Sequence, residues 1–523
     1  MRTKMNSGRR AFLEVVANGI IGASMGPSAL AARLPAGFAP DFAAGIASGS
    51  PSPDGFVIWT RLFGSELQDL DAVPVHWEVL ADGDKPQPVA KGVAIASKEL
   101  AHSVHVEVQG LRPDRWYRYQ FRVGDVTSPV GRSRTSPLPD VVPGKWRLGY
   151  ASCQRWEDGY YGAYRHMAEE SLDLVVFLGD YIYEYQSRKS GDAVRTHPLP
   201  HIRTLDDYRR RYALYRSDPE LQRMHAACPW MVVWDDHETE NDYAGSLSLE
   251  GTADFAPKRA AAYQAFYEHM PLRASALVRG LAGLHDTGSL RIYDQVDFGR
   301  LARLQMLDTR QYREAPGCGN APSAKVAAVC QPDGEGERSM LGLEQMAWLE
   351  RSLKESARRG ISWNVLAQQT GFTARNYRHG HGKAYSSDGW DGYPDARGSL
   401  IDALAASKAS NPVFLGGDIH QNWVANVHRD PYDVSTPVIA SEFCGTSISS
   451  RGRPKDRTAR VAATNPHCVL ADSEHRGYGV LELTRKRTTV ALRVVDDVAS
   501  RATGIRTLAE FAVESGNARI RKL

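Results

Sequence analysis

The sequence lacks several features that would each point to a class of protein. Its 64 lysines and arginines nearly balance 61 aspartates and glutamates, so a formal net charge of +3 gives no evident nucleic-acid-binding surface. Beyond the N-terminal region no run of about eighteen apolar residues occurs, which predicts a mature form without a membrane span. No internal repeat is visible. With 523 residues, 42% of them hydrophobic, the sequence favours a globular protein of two or three domains.

Cysteine is also scarce. The six cysteines are Cys153, Cys228, Cys318, Cys330, Cys444 and Cys468. Cys318 and Cys330 bracket a Gly/Pro/Ala-rich loop and could form a disulfide in an oxidising compartment, and Cys444 and Cys468 could form another. The sequence alone cannot fix the pairing. Cys153 directly follows a predicted strand and belongs to the candidate site considered below.

The N-terminal 1–32 segment has the order of features of an export signal. Arg9 and Arg10 are followed by a weakly apolar stretch, and Ala29-Leu-Ala31 then places small residues at a signal-peptidase spacing. A frayed amphipathic helix is the alternative. The paired arginines indicate the twin-arginine export machinery and a periplasmic or secreted protein. Because that route carries folded proteins, a metal centre could be assembled before export.

Two regions with different periodicities follow. Residues 38–138 contain short alternating strands separated by turn residues, which predicts an all-β sandwich domain. From residue 146 onward, buried strands alternate with helical stretches, which predicts an α/β domain extending to residue 523. The predicted strands of this second region are 146–151, 172–178, 230–234, 290–298, 301–307, 362–367 and 412–415. Its predicted helices are 162–171, 205–217, 257–269, 343–358 and 399–406.

Four of these strands end in residues that can bind metals. Cys153 follows the first, Asp180 and Tyr183 the second, Asp236 and His237 the third, and Asp418 and His420 the fourth. Ligands of open α/β folds bind at the carboxyl ends of strands, so these segments are expected to converge. Each residue alone has an ordinary structural explanation. Together they favour a metal site, because charges placed directly after buried strands are expensive to desolvate without a cation.

The donor types indicate which metals the site prefers. The Cys153 thiolate and the Tyr183 phenolate suit a highly charged ion such as ferric iron, whereas carboxylates and amides suit calcium, magnesium or manganese. Asp180 is placed to bridge two ions. Two adjacent cations can hold a phosphoryl group and lower the pKa of a shared water or oxide. His237 could protonate a leaving alcohol or contact a phosphate oxygen.

These motifs resemble the PhoD family of alkaline phosphatases and phosphodiesterases, within the calcineurin-like and purple acid phosphatase group. The resemblance rests on Cys153, Gly179-Asp180-x-x-Tyr183, Asp235-Asp236-His237-Glu238 and Gly417-Asp418-x-His420. It extends through Leu307-Asp-Thr-Arg-Gln-Tyr312 and Phe443-Cys-Gly-Thr-Ser-Ile-Ser-Ser450 and covers nearly the whole chain. It implies a four-layer αββα metallophosphatase domain, Fe3+ and Ca2+ as cofactors, and hydrolysis of phosphomonoesters and phosphodiesters at alkaline pH.

Carried over to this chain, the resemblance implies that Cys153, Asp180 and Tyr183 bind iron and that Asp236, Asp418 and His420 complete the metal cluster. Asn241 is either a further ligand or a loop cap. Residues 507–520 have an amphipathic pattern that predicts a C-terminal helix. The resemblance implies that such a helix can cover the active site, and a docked surface helix is the alternative. Arg310, Arg375 and Arg397 are candidate phosphate contacts.

Two other functions stay open at this stage. One is a phosphodiesterase or phospholipase D-like enzyme of narrower specificity on the same scaffold. The other is a non-catalytic exported protein that binds metal or phosphate, although every ligand position named above is intact.

Overall fold

The computed structural model describes residues 38–189, 191–277, 290–316, 338–378 and 382–523, and the backbone of Val329–Cys330. Contacts divide the chain into two compact units. The first comprises Met1–Ser136, Tyr208–Trp230 and Tyr263–Arg291, and the second Pro137–Asp207, Met231–Ala262 and Ile292–Leu523. The predicted signal segment lies outside the described residues.

The first unit is built mainly from short antiparallel strands. Their bounds are β1 (Ile46–Ser52), β2 (Gly55–Arg61), β3 (Ala72–Ala81), β4 (Pro88–Ser97), β5 (Ser103–Val108), β6 (Trp116–Val123), β7 (Val126–Thr127) and β8 (Gly131–Arg134). Strands β1, β2 and β5 are neighbours in one sheet, and β4, β3, β6 and β7 form another, with β8 paired to β6. Alternating apolar residues such as Phe56, Val75 and Phe121 from both groups bury one common core.

The second unit contains two large sheets. Its strands are β9 (Lys145–Ala151), β10 (Leu174–Phe177), β11 (Trp230–Val232), β12 (Asp294–Phe298), β13 (Ala302–Met306), β14 (Val329–Cys330), β15 (Trp363–Ala367), β16 (Tyr385–Ser386), β17 (Pro412–Gly416), β18 (Asn422–Asp430), β19 (Asp433–Cys444), β20 (Cys468–Asp472), β21 (Gly477–Thr484), β22 (Arg487–Val495), β23 (Ile505–Glu514) and β24 (Asn517–Lys522). One sheet has the order β24-β23-β22-β21-β9-β10-β11, and the other β12-β13-β15-β17-β19-β18-β20.

Parallel pairing is confined to the strands that precede the candidate site and their neighbours. Strand β9 pairs in parallel with β10. In the other sheet, β13 pairs in parallel with β15, β15 with β17, and β17 with β19. These strands are buried on both faces, as expected of parallel strands in an α/β fold. Their carboxyl ends therefore reach the same edge of each sheet.

Seven described α-helices accompany the strands. They are α1 (Gly162–Met167), α2 (Leu205–Arg216), α3 (Pro219–Ala227), α4 (Phe255–His269), α5 (Gly342–Arg359), α6 (Pro394–Ser407) and α7 (Lys455–Ala463). Leu353 of α5 and Leu404 of α6 pack in one core with Leu366 and Phe414 of the second sheet. The chain is thus a mixed α/β protein. No helix among the described residues is long and apolar enough to cross a membrane.

The predicted C-terminal helix is wrong, because residues 505–522 form the hairpin β23–β24. Leu508, Phe511 and Ala512 have helical spacing, but Ala509, Phe511 and Val513 alternate and are buried against the sheet. Gly516 adopts a left-handed φ of 87°, which suits the tight turn between the two strands. Pairing of β23 with β22 satisfies the backbone hydrogen bonds of the segment and outweighs its helical spacing.

The suggested disulfide between Cys444 and Cys468 is also wrong. Both cysteines are free thiols, and the Cys444 thiol donates to the carbonyl oxygen of Gly417 at 3.2 Å. They lie on different strands of the second sheet, β19 and β20, which are separated by β18. The other suggested disulfide, between Cys318 and Cys330, involves a residue outside the described ranges and stays a prediction.

Gly479 provides a test of packing between β9 and β21. A Cβ at this position would overlap the ring of Tyr150, which is fully buried. We expect Gly479→Ala to destabilise the protein by about 1–3 kcal/mol, the usual effect of overpacking. Gly144→Ala is the matched control, since no described atom lies within 4 Å of a Cβ there. Thermal unfolding of both variants measures the difference, and equal melting temperatures would contradict the packing described.

Candidate active site

Side chains from four strand ends converge in the second unit. Three groups each have potential ligand atoms within 4.8 Å of one another, and they are Cys153 with Asp180 and His420, Asp180 with Asp236 and His237, and Asp235 with Asp236 and Asp418. Asp180 and Asp236 each belong to two groups. The groups therefore form one continuous cluster that extends from a buried thiol to three carboxylates.

The backbone at these strand ends adopts an uncommon conformation. Cys153, Asp180, Asp418 and His420 all have positive φ, between 55° and 64°. This left-handed region is costly for residues other than glycine, and such conformations concentrate at functional sites. In each case the chain turns sharply after a buried strand and directs the side chain into the cluster.

Tyr183 contacts two of the cluster residues, Asp180 and His420. Its hydroxyl donates to Asp180 Oδ2 at 2.7 Å and lies 3.1 Å from His420 Nε2. Ser450 Oγ donates to the same phenolic oxygen at 2.9 Å. The other nitrogen of His420, Nδ1, donates to the carbonyl oxygen of Arg451 at 2.9 Å, so Nε2 is the nitrogen directed at the cluster.

Glu238 fixes the backbone of two strand ends at once. Its carboxylate accepts hydrogen bonds from the backbone N–H of Asp180 at 3.0 Å, Tyr181 at 2.5 Å and Asp235 at 2.8 Å. Burial raises the pKa of Glu238 to about 8, with the charge of Asp180 adding to the effect. A carboxylate that accepts three N–H groups pre-organises the loops after β10 and β11.

His237 is held at the side of the cluster by Glu184. Its Nδ1 lies 2.8 Å from Glu184 Oε2, and its ring is 4.2 Å from that of Tyr183. Burial opposes protonation of His237, but the charges of Glu184 and two cluster aspartates raise its pKa well above the ordinary value. Asn241 is placed by its backbone N–H, which donates to the other oxygen of Glu184 at 3.0 Å. This contact places the Asn241 backbone beside the Glu184–His237 pair.

Arg310 is the main positive charge built into the site. It forms ion pairs with four carboxylates, those of Asp235, Asp236, Asp388 and Asp418, and its side chain is completely buried. Arg313 shares Asp388 at 2.9 Å. Burial opposes the charge of Arg310, but these carboxylates raise its pKa well above the usual value. The sequence had offered Arg310 only as a phosphate contact, whereas its donors are used by the protein's own carboxylates.

The two arginines do not neutralise the cluster. Burial, with the charge of neighbouring carboxylates, raises the pKa of Asp418 to about 6 and that of Cys153 well above normal. Asp180 Oδ1, Asp235 Oδ2 and Asp236 Oδ1 are buried and accept no hydrogen bond from the described residues. Buried oxygens of this kind need a donor or a cation. Carboxylate, imidazole, phenol and thiol groups around such oxygens fit a metal centre.

The structure thus brings Tyr183 and six further predicted residues together in one cluster, namely Cys153, Asp180, Asp236, His237, Asp418 and His420, with Tyr183 joined to the others by hydrogen bonds. The sequence reasoning missed Glu184, Asp388 and Thr370, whose hydroxyl donates to Asp418 Oδ2 at 3.1 Å. A signal for part of this network was present, since polar runs also follow β13 and β15. Asp388 lies on a loop, where no strand periodicity identifies it.

Comparison with known proteins agrees with this geometry. The pattern described as PhoD-like phosphatase matches residues 148–492, and that of the N-terminal domain of PhoD-like phosphatases matches residues 29–137. Alkaline phosphatase D of Bacillus subtilis (strain 168) is 42% identical over 497 residues, which cover 92% of this chain and 82% of that protein. The solved structure of PhoD is 40% identical and covers 92% of both chains with a TM-score of 0.85.

A mixed α/β fold with an acidic, metal-competent cluster at its strand ends defines the class as a phosphoesterase. The chain belongs to the PhoD-like phosphatase family. The family resemblance seen in the sequence is therefore confirmed, and the protein is an enzyme. The alternative of a non-catalytic binding protein is set aside.

Arg310 allows a test of the charge balance. We expect Arg310→Met to destabilise the protein by about 3–5 kcal/mol, because it leaves buried carboxylates without their ion-pair partner. Arg310→Lys should lose less, since it keeps the charge but not the planar donors. The exposed Arg300→Met is the control. Chemical denaturation measures all three variants, and a small effect of Arg310→Met would show that the carboxylates do not depend on this cation.

Proposed function

We propose that the protein is an exported phosphoesterase that hydrolyses phosphomonoesters and phosphodiesters at alkaline pH with two kinds of metal ion. The observation that carries this proposal is the buried cluster of Cys153, Asp180, Asp236, Asp418 and His420, in which several oxygens lack donors. A cluster with uncompensated negative charge can bind anionic phosphate esters only after cations reverse its charge.

The donor set supports an assignment of the metals. Fe3+ would be held by Cys153, Asp180 and Tyr183, whose thiolate and phenolate suit a highly charged ion. Ca2+ or another hard divalent ion would be held on the carboxylate side, by Asp236 and Asp418, and His420 completes the cluster. When bound, these ions supply Lewis-acid stabilisation of phosphoryl oxygens and a nucleophilic oxygen of lowered pKa. Asn241 is either a further ligand or a loop cap, and the contact of its backbone N–H with Glu184 fits both.

The protein's own residues position the reacting groups. Asp180 lies between the thiol side and the carboxylate side and belongs to both groups of ligand atoms. Glu184 accepts a hydrogen bond from His237 Nδ1, so Nε2 of His237 is left to contact a phosphate oxygen or to give a proton to the leaving alcohol. The Glu184–His237 pair thereby fixes both the orientation and the protonated nitrogen of the acid.

The same proposal includes an export signal and two domains. We place a twin-arginine signal at residues 1–32, a β-sandwich domain at 38–138 and a metallophosphatase domain of four αββα layers at 146–523. The two sheets of the second unit contact each other through ring pairs such as Trp146–Phe298 and Phe443–Phe511, which supports the layered arrangement. The enzyme would act in the periplasm or outside the cell. A phosphodiesterase or phospholipase D-like enzyme of narrower specificity is the second candidate.

Metal content and activity test the proposal together. Protein purified without added metal should contain iron and a divalent ion, and chelation should abolish turnover until the metals return. Asp180→Asn should lower the metal content of the protein. It should also lower kcat by at least about 100-fold. Asp402→Asn is the matched control, because Asp402 is 67% exposed and its one ion-pair partner among the described residues is the surface residue Arg429.

The choice of substrates separates the two candidate functions. Turnover of both p-nitrophenyl phosphate and bis(p-nitrophenyl) phosphate supports the broad activity, and turnover of the diester alone supports the narrower one. Full activity of metal-free protein would overturn the metal mechanism.

The proposed acid role of His237 has a distinct signature. His237→Asn should lower kcat by about 100- to 10,000-fold for alkyl phosphates, whose alcohols need a proton. The loss should be much smaller for p-nitrophenyl phosphate, because p-nitrophenolate leaves without one. His475→Asn, which changes a histidine bound to Asp472, is the control. Equal losses for both leaving groups would indicate that His237 contacts phosphate and is not the acid.

A further inference from the structure

The three arginines singled out by the sequence have different partners. Arg310 is saturated by the carboxylates of the cluster. Arg397 donates to Asp391 Oδ1 at 2.6 Å and to the Tyr432 hydroxyl at 2.6 Å. Arg375 makes no ion pair or side-chain hydrogen bond with any residue in the described ranges. A guanidinium without an anionic partner beside an enzyme site is available to a ligand.

Aromatic rings and a backbone contact hold Arg375 in place. Its guanidinium carbon lies 5.6 Å from the ring centroid of Tyr377 and 5.8 Å from that of Trp423. Its backbone N–H donates to Asp391 Oδ2 at 3.0 Å. Cation–π contacts stabilise the charge without using the N–H donors, which stay free to bind a planar anion.

The segment that carries Arg375 begins at the candidate site. Thr370 donates to Asp418, and the backbone N–H groups of Phe372 and Thr373 both donate to the buried carboxylate of Glu442. Burial opposes the charge of Arg375, but Tyr377 and Asp391 raise its pKa, with smaller contributions from Cys444 and Asp418. The two rings that contact Arg375, those of Tyr377 and Trp423, pack in one apolar cluster with Ile419, which lies between Asp418 and His420 in the chain. Arg375 is therefore a fixed cation beside this strand end, and no carboxylate of the described residues comes within ion-pair distance of it.

The accessible side of the cluster is the one formed by Asp418 and His420. The side chains of Asp418 and His420 are 22% and 24% exposed, whereas those of Asp180 and Arg310 are 2% and 0% exposed. A substrate therefore approaches from the side of Asp418. The alcohol portion of a bound phosphate ester would therefore extend outward past Asp418.

We propose that Arg375 binds a second anionic group of the substrate, a carboxylate or a further phosphate carried on the alcohol portion of the ester. This inference rests on the proposed function and adds a substrate class to it. Arg375 selects among phosphate esters, while the metal cluster acts on the phosphate that is cleaved.

Direct binding and turnover test the proposal with matched pairs of compounds. Calorimetry measures the binding of phenylphosphonate and of 4-carboxyphenylphosphonate to the metal-loaded enzyme. Turnover is measured with phenyl phosphate and with 3- and 4-carboxyphenyl phosphate. The bisphosphate of hydroquinone serves as the probe with a second phosphate. Arg375→Met should weaken binding and raise KM for the carboxylated or bisphosphorylated member by about 10-fold or more, the size of one charge-assisted pair. Binding and KM of the member without the second anionic group should change little, and kcat should be nearly constant.

Two further variants distinguish a specific contact from a general effect. Arg375→Lys should recover part of the preference because it keeps the charge. Arg378→Met removes an exposed arginine of the same segment and should leave the preference unchanged. Equal loss for both members of a pair in Arg375→Met, or the same loss of preference in Arg378→Met, would overturn the proposal. Failure of the wild-type enzyme to turn over phenyl phosphate would count against the proposed function. The role of Arg375 is tested separately, by the binding of the two phosphonates.

Discussion

The central physical constraint on this molecule is the collection of negative charge in a buried place. Four aspartates and a thiol lie in overlapping groups whose ligand atoms are within 4.8 Å of one another, where water screens them poorly. Arg310 offsets part of that charge through four ion pairs. Burial and the remaining negative charge raise the pKa of Asp418, and several buried carboxylate oxygens have no donor among the described residues. Cations supply the missing positive charge, so metal binding also contributes to folding stability.

This constraint explains the unusual backbone at the strand ends. A left-handed φ at Asp180 or Asp418 is unfavourable alone, and repulsion between their carboxylates opposes it further. The buried parallel strands and the three N–H groups accepted by Glu238 hold these turns in place. The geometry is therefore established before any ligand binds, which is what electrostatic preorganisation requires.

Sequence patterns predicted the strand ends well and the long-range partnerships poorly. Residues such as Asp180 and His420 follow strongly apolar runs, and the edge that such runs share follows from general rules of parallel sheets. The role of Arg310 was missed because its partners are up to 108 residues away in sequence and lie on unrelated loops. The C-terminal hairpin was missed because the spacing of Leu508, Phe511 and Ala512 fits a helix, and only the free edge of β22 decides for a strand.

The site is divided into two halves by exposure as well as by chemistry. Cys153 and Tyr183 are buried, and donors of their kind bind highly charged ions strongly. Asp418 and His420 face the accessible side. A metal on the buried half would exchange slowly and serve as a permanent part of the structure, whereas one on the open half would meet solvent and substrate first. This asymmetry supports the proposal of two different metals in one cluster, because a single kind of ion would not suit both halves equally.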